Sequence, residues 1–166
     1  EDYNSAISYG EKTEKNLDCI LGLNEVEEYY LYHSLSVLDL AIERNEKLTR
    51  KNKRKVKQSL KLYQRWTKRN RNNFEKKLFL LQGAFFEYKK RLKKAKTHYK
   101  KSIETAQLNG HLTIRSIALE KLAQCYSHSD KTTSHYYYSE ACKSYKEWGA
   151  TAKSEKISKL ILKNQN

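Results

Sequence analysis

The sequence predicts an all-α protein in which antiparallel helical hairpins stack as a right-handed solenoid and a C-terminal helix caps the stack. Its 166 residues include no Pro and only five Gly, so we expect long helices joined by short turns. Apolar residues recur every three to four positions in successive segments, which is the period of a helix with a buried face. Two consecutive hairpins also have related sequences, as in helical-repeat proteins.

The length is that of one domain, and we treat residues 1–166 as a single helical-repeat domain. Its predicted parts are a preceding helix with its connection (1–23), a first helical pair (24–69), two repeat hairpins (72–109 and 113–149) and the capping helix (151–163).

The first helical pair differs in character from the hairpins that follow it. A weakly periodic polar helix over 2–14 precedes it, and the pattern is interrupted at Gly22. Asn24 and Glu27 have the spacing of a capping box, which predicts a helix start. The second helix, 47–69, is basic and amphipathic, with an apolar stripe at Val56, Leu60, Tyr63 and Thr67. Its first half is almost wholly polar, so we expect it to extend beyond the core or fray.

The hairpin at 72–109 has the spacing of a tetratricopeptide-like (TPR-like) repeat. A small residue lets two antiparallel helices approach closely, and large and small residues alternate across the contact. Gly83 is followed at offsets of three, twelve, sixteen and nineteen by Phe86, Ala95, Tyr99 and Ser102.

The hairpin at 113–149 repeats this pattern in a degenerate form. Tyr99 and Ser102 recur thirty-nine residues later as Tyr138 and Ala141. Turn and cap residues bound both hairpins. The predicted boundaries are an N-cap at Asn72 or Asn73, a stop at Asn109-Gly110, a start at Thr113, an N-cap at Ser129 or Asp130, and a stop at Gly149.

Trp148 is the residue of the second hairpin for which we predict a corner position. It follows Ala141 by seven and Tyr145 by three, so the three share a helix face. Gly149 then ends the helix, and the 151–163 segment can fold back. We therefore expect the Trp148 ring to be mostly buried between two helices.

The net charge of +15 is unevenly distributed. Residues 1–46 have three basic and eleven acidic side chains, a net −8, whereas residues 47–101 have twenty-two basic and two acidic, a net +20. Such a block binds nucleic acid or an anionic membrane in some proteins, and in others it is a solvated surface or docks on an acidic neighbour. The acidic first segment is one such neighbour.

Candidate partner-binding residues come from this block and from a tyrosine triplet. Tyr136 to Tyr138 span most of a helix circumference, so we expect at least one exposed ring, and we assign only Tyr138 to interhelical packing. The candidates are Tyr136, Tyr137, Lys89, Lys90, Arg91 and Lys93.

We predict no catalytic, metal or cofactor site. Cys125, His128 and His135 lie close in sequence, but a fourth zinc ligand is not evident and Cys125 lies on an apolar stripe. Three cysteines do not make a disulfide framework, and no apolar run approaches the ~20 residues of a membrane-spanning helix. We therefore expect a cytoplasmic protein.

Six segments together resemble one known family. The chain is similar to the helical-repeat region that follows the STAND/AAA-type ATPase module in large multidomain serine/threonine kinase and sensor histidine kinase signalling proteins. The resemblance covers about residues 25–162, and its most specific part is the tail with Tyr145, Trp148, Gly149, Ala150 and Lys153. Its segments are EYYLYHSLSVLDL, RKVKQSLKLYQRW, NNFEKKLFLLQGAFFEYKK, HYKKSIETAQLNG, SIALEKLAQCYS and ACKSYKEWGATAKSEKI.

Two turns depart from the family pattern. The family has Cys-Pro where this chain has residues 70–72, and a turn Gly near the position of Lys90. Both changes affect turns rather than the core, so the expected fold stands. The resemblance implies a regulatory scaffold, and it carries over no kinase or ATPase residue.

The leading functional hypothesis is a non-catalytic protein–protein interaction and regulatory scaffold. Its partner is another protein or an adjacent domain, because a chain that begins at Glu1 and contains no Met is expected to be a fragment of a multidomain signalling ATPase or kinase. The alternative is a basic adaptor that binds nucleic acid or anionic membrane through residues 47–101. An enzyme with an unrecognised site is a third hypothesis.

Overall fold

The computed structural model describes residues 2–14 and 24–163, and all of its regular structure is helical. Among these residues no strand occurs, which confirms the all-α class. Cys19 and Gly22 lie outside the described residues, as does the predicted interruption around them. The helices are α1 (Tyr3–Glu14), α2 (Asn24–Glu43), α3 (Arg50–Arg69), α4 (Arg71–Tyr88), α5 (Leu92–Leu108), α6 (Leu112–Tyr126), α7 (Lys131–Trp148) and α8 (Thr151–Lys163).

Each helix packs against the next one along the chain, and α4 also packs against both α2 and α6. The three therefore form a common layer. A large hydrophobic core extends from α2 to α6, with Leu38, Tyr63, Leu81 and Ile114 among its most buried members. A second cluster, which includes Leu119 and Ile157, joins α6, α7 and α8.

None of the helices in the described part of the chain combines the length and the apolar character that crossing a bilayer requires. The longest, α2 and α3, have 20 residues each. Both carry charged side chains along their length.

Side-chain caps explain where several helices begin. The helix predicted from Lys47 begins at Arg50, because the Thr49 side chain accepts a hydrogen bond from the Asn52 amide. The cap of α4 is Asn70, and the prediction of Asn72 or Asn73 was wrong. Extended Asn70 accepts a hydrogen bond from the Asn73 amide at 3.2 Å, so both predicted residues lie inside the helix.

The start of α6 also differs slightly from the predicted one, whereas α7 has a predicted cap. α6 begins at Leu112 rather than Thr113, and His111 makes no side-chain capping bond. Asp130 accepts a hydrogen bond from the Thr133 amide at 2.9 Å and caps α7.

Several turns contain a residue with backbone in the left-handed region, and Gly149 and Lys90 are two of these residues. Gly149 ends α7 with φ of +86°, a conformation that glycine adopts without the cost of a Cβ clash. Lys90, in the turn between α4 and α5, has φ of +56°. A non-glycine residue in this region carries the steric cost of its Cβ.

The contact between α4 and α5 is close because Gly83 has no side chain. A Cβ at this position would lie 2.5 Å from two ring atoms of Tyr99. Ala95, Tyr99 and Ser102 are fully buried, and the Ser102 hydroxyl donates to the Lys76 carbonyl at 2.8 Å. Phe86 is half-buried and packs against His98, with 4.8 Å between the ring centroids.

The prediction that Trp148 is mostly buried was wrong. Tyr138, Ala141 and Tyr145 are buried in α7, but the Trp148 side chain is 46% exposed. Trp148 is the last residue of its helix, and α8 packs into the core through Ile157 instead. The Trp148 ring therefore contacts Tyr145, at 6.1 Å between centroids, and remains open to solvent on its other side.

Candidate interaction groove

A groove runs along the layer formed by α2, α4 and α6 and is closed at one side by α8. It consists of two cavities of about 710 Å³ and about 390 Å³. The cavities are adjacent, because both are lined by Tyr3, Asp39, Glu120, Lys121 and Gln124. We call the combined feature the concave groove.

The walls of the concave groove are largely apolar. The larger cavity is lined by Ile42, Leu92, Tyr138, Ile157 and Leu160, and the smaller one by Leu35, Ile117, Tyr145 and Trp148. Leu92 and Leu160 are 46% and 40% exposed. Apolar side chains that remain open to solvent in a concavity are typical of a site that accepts a ligand.

A buried ion pair crosses the floor of the groove from α2 to α6. Lys121 Nζ donates to Asp39 Oδ1 at 2.5 Å, and each side chain is at most 10% exposed. Burial alone lowers the pKa of a lysine. The attraction of Asp39, Glu87 and Glu120 outweighs it here and raises the pKa of Lys121.

Two further acidic side chains, Glu87 and Glu120, line the same floor. Glu87 Oε2 accepts a hydrogen bond from the Tyr99 hydroxyl at 2.5 Å. Glu120 accepts one from Tyr145 at 2.8 Å and forms an ion pair with Lys153 at 2.9 Å. Burial raises the pKa of both Glu87 and Glu120 above its usual value. The floor therefore places three carboxyl groups close to Lys121 and Lys153.

The groove lacks an activated cysteine nucleophile. Cys125 lines it, but burial raises the pKa of the Cys125 thiol to about 12, so the thiol stays protonated at neutral pH. The described residues also contain no cluster of three or more His, Cys, Asp or Glu side chains able to hold a metal ion. Cys125, His128 and His135 are thus not brought together as ligands.

The tyrosine triplet is divided between the core and the surface. Tyr138 is buried in the interhelical core, as we predicted, and it also borders the groove. Tyr136 is 61% exposed and lies outside the residues that line the groove. Tyr137 is half-buried and stacks on Tyr126, with 5.8 Å between the ring centroids.

The basic candidates surround the turn at one end of the groove. Lys90 lines the larger cavity, and its Nζ donates to Asn45 Oδ1 at 2.9 Å. Lys89 lies over the Tyr88 ring at 5.3 Å from its centroid. Arg91 precedes α5 as its N-cap residue, and Lys93 is exposed.

Sequence reasoning missed the charged floor of the groove. Asp39 and Lys121 lie 82 positions apart, so no local pattern pairs them. One indication was present: Lys121 lies among apolar residues of α6, and a charged side chain on a buried helix face normally has a partner.

No protein-family model matches this chain, and no curated protein or solved structure is significantly similar to it. Its function is therefore inferred from the concave groove and from the charged surfaces.

Proposed function

We propose that this chain is a non-catalytic interaction module that binds a segment of a partner protein, or of an adjacent domain of the same polypeptide, in the concave groove. The groove itself is the observation that supports this proposal. Its larger cavity of about 710 Å³ lies in the range typical of ligand pockets, ~300–1,000 Å³. Apolar walls with a few fixed charges suit a peptide segment, whose side chains supply both kinds of contact.

The helix contacts are consistent with a TPR-like right-handed solenoid, which we propose as the architecture. Successive hairpins that share one layer of helices form a concave surface, and helical-repeat proteins bind their partners on such surfaces. In this chain that layer is α2, α4 and α6, and α8 takes the place of a capping helix.

The resemblance to the helical region of multidomain signalling ATPases and kinases supports a regulatory role. In this proposal the groove is occupied in one state of the signalling protein and empty in another. Asp39, Glu87 and Glu120 are each held in place by a lysine or a tyrosine, so in this proposal they supply fixed polar contacts to the bound segment. We propose a cytoplasmic location, where Cys125 and Cys142 remain free thiols.

A peptide selection with two matched variants tests the proposal. Random peptides displayed on phage are selected against the protein, and the winners are measured by fluorescence anisotropy. Leu92→Asp with Leu160→Asp places two charges in the groove at half-exposed positions. The control is Leu108→Asp with Leu162→Asp, at positions that are 86% and 64% exposed and outside the groove lining.

The groove variant should weaken binding of the selected peptides at least tenfold, and the control should bind like the parent. Both variants should keep the helical circular-dichroism spectrum of the parent, because all four leucines are exposed. Selected peptides that bind the groove variant as tightly as the parent would contradict the proposal.

A further inference from the structure

The outer side of α3 has a dense row of positive charge. The helix has 20 residues and no Asp or Glu, and it is about 30 Å long. Its exposed cations lie opposite the buried Val56, Ser59 and Tyr63. Apart from Lys51, which pairs with Glu11 of α1, they are Arg50, Lys53, Arg54, Lys57, Lys61, Arg65, Lys68 and Arg69, which we call the α3 cationic row.

The structure separates this row from the rest of the basic block. Lys51 and Lys55 form ion pairs with Glu11 and Glu14 of α1, at 2.9 and 2.7 Å. Lys77 pairs with Glu27 at 2.6 Å. None of the ion pairs among the described residues includes a member of the α3 cationic row. The acidic residues of α1 thus neutralise Lys51 and Lys55, which lie beside α1, and leave the α3 cationic row without an acidic partner in the part of the chain that the structure describes.

Repulsion between the cations of the row lowers the stability of α3. Cations four positions apart repel each other along a helix. The row contains five such pairs: Arg50–Arg54, Lys53–Lys57, Lys57–Lys61, Lys61–Arg65 and Arg65–Arg69. Surfaces that only face water usually mix both signs of charge, which removes this repulsion. An anionic ligand would remove it here.

The shape of the row indicates the class of ligand. Residues four apart on a helix are ~6 Å apart along its axis, so the row presents regularly spaced cations over most of ~30 Å. A nucleic-acid duplex presents one phosphate charge per ~1.7 Å of its axis. A rigid linear array of cations is therefore complementary to a duplex backbone.

Two other anionic partners fit the surface less well. Single-stranded binding sites stack bases on aromatic rings, but Tyr63 is buried and Trp66 packs against Tyr63 and Phe74, at 5.1 and 5.6 Å between centroids. Helices that lie on membranes insert an apolar face into the bilayer. None of the exposed large hydrophobic side chains belongs to α3.

We propose that the α3 cationic row binds the phosphate backbone of a nucleic-acid duplex without reading its sequence. This binding surface is separate from the concave groove, and it does not depend on the function proposed for the groove.

The test compares two variants with equal loss of charge. The row variant replaces Lys57, Lys61, Arg65 and Lys68 by Gln. The control replaces Lys93, Lys100, Lys146 and Lys159 by Gln, which are all exposed and lie on α5, α7 and α8. Fluorescence anisotropy measures binding of a short labelled duplex of random sequence over a series of salt concentrations, and thermal melts check folding.

The row variant should bind the duplex at least ~10-fold more weakly, and its log–log salt slope should be smaller by ~3–4, about one unit per lost phosphate contact. The control should keep most of the affinity and the slope. Equal weakening of the two variants would mean a general charge effect and would overturn the proposal. So would displacement of the duplex by polyglutamate as readily as by unlabelled duplex, or binding of phosphatidylserine vesicles in preference to the duplex.

Discussion

Replacing Gly83 by alanine should destabilise the protein, although the same change stabilises an ordinary exposed helix. The added Cβ would lie 2.5 Å from Cδ1 and Cε1 of Tyr99. The Tyr99 ring has little freedom to move away. It is fully buried, and its hydroxyl donates to Glu87 at 2.5 Å. α4 and α5 must therefore separate, or the ring must leave its favoured position.

Two opposing contributions set the size of the effect. Alanine is better than glycine by ~1 kcal/mol in a helix interior. Overpacking a buried contact costs ~1–3 kcal/mol, and a contact this short at a restrained ring falls at the upper end. We therefore expect Gly83→Ala to lower the free energy of unfolding by ~2 kcal/mol.

A double-mutant cycle with Tyr99→Leu isolates the cause, measured by urea denaturation at constant m-value. Without the aromatic ring, Gly83→Ala should be neutral or stabilising by up to ~1 kcal/mol, which gives a coupling energy of ~2–3 kcal/mol. If Gly83→Ala instead stabilises the otherwise unchanged protein by ~1 kcal/mol, the close approach at Gly83 and Tyr99 is not as described.

Three further substitutions test separate parts of the structure. Lys90→Gly should raise the free energy of unfolding by ~1 kcal/mol, because it removes a side chain from left-handed backbone at φ of +56°; urea denaturation would show no gain if the turn has another conformation. Lys57→Glu should also raise the free energy of unfolding by ~1 kcal/mol, because its repulsions with Lys53 and Lys61 become attractions. The same variant should bind duplex more weakly. A variant in which stability and duplex affinity change in the same direction would contradict this prediction. Burial raises the pKa of Glu87 above 4.5. Between pH 4.5 and the raised pKa, the folded state therefore binds more protons than the unfolded state. The protein loses stability as the pH rises through this interval. Glu87→Gln removes that loss, and its unfolding free energy relative to the parent should increase across this pH interval, whereas parallel pH profiles would show that Glu87 has an ordinary pKa.

The helices were predictable because their evidence is local. A period of 3.6 in apolar residues, together with stops such as Gly149, located α4 to α8 closely. Caps were harder to assign where polar residues are consecutive. Residues 70, 72 and 73 are all Asn and all can cap, and the choice of Asn70 depends on how α3 and α4 pack.

The candidate site was less predictable because it depends on contacts between distant residues. The Asp39–Lys121 pair joins α2 to α6, and neither residue indicates the other in the sequence. Trp148 shares a helix face with the buried Tyr145, but the sequence does not show that α8 packs into the core through Ile157 and leaves Trp148 partly exposed. The acidic α1 was correctly considered as a neighbour of the basic block, since opposite charges in adjacent segments attract.

Amide chemical-shift mapping tests most directly whether the concave groove is a binding site. A ¹⁵N-labelled sample is titrated with a peptide selected against the protein, and shift changes are placed on the structure. The largest changes should occur at groove residues on three helices, such as Asp39, Glu87 and Gln124, and should be small on the outer side of α3. Shift changes that cluster away from the groove, around Tyr136 or along the α3 cationic row, would contradict the proposed function.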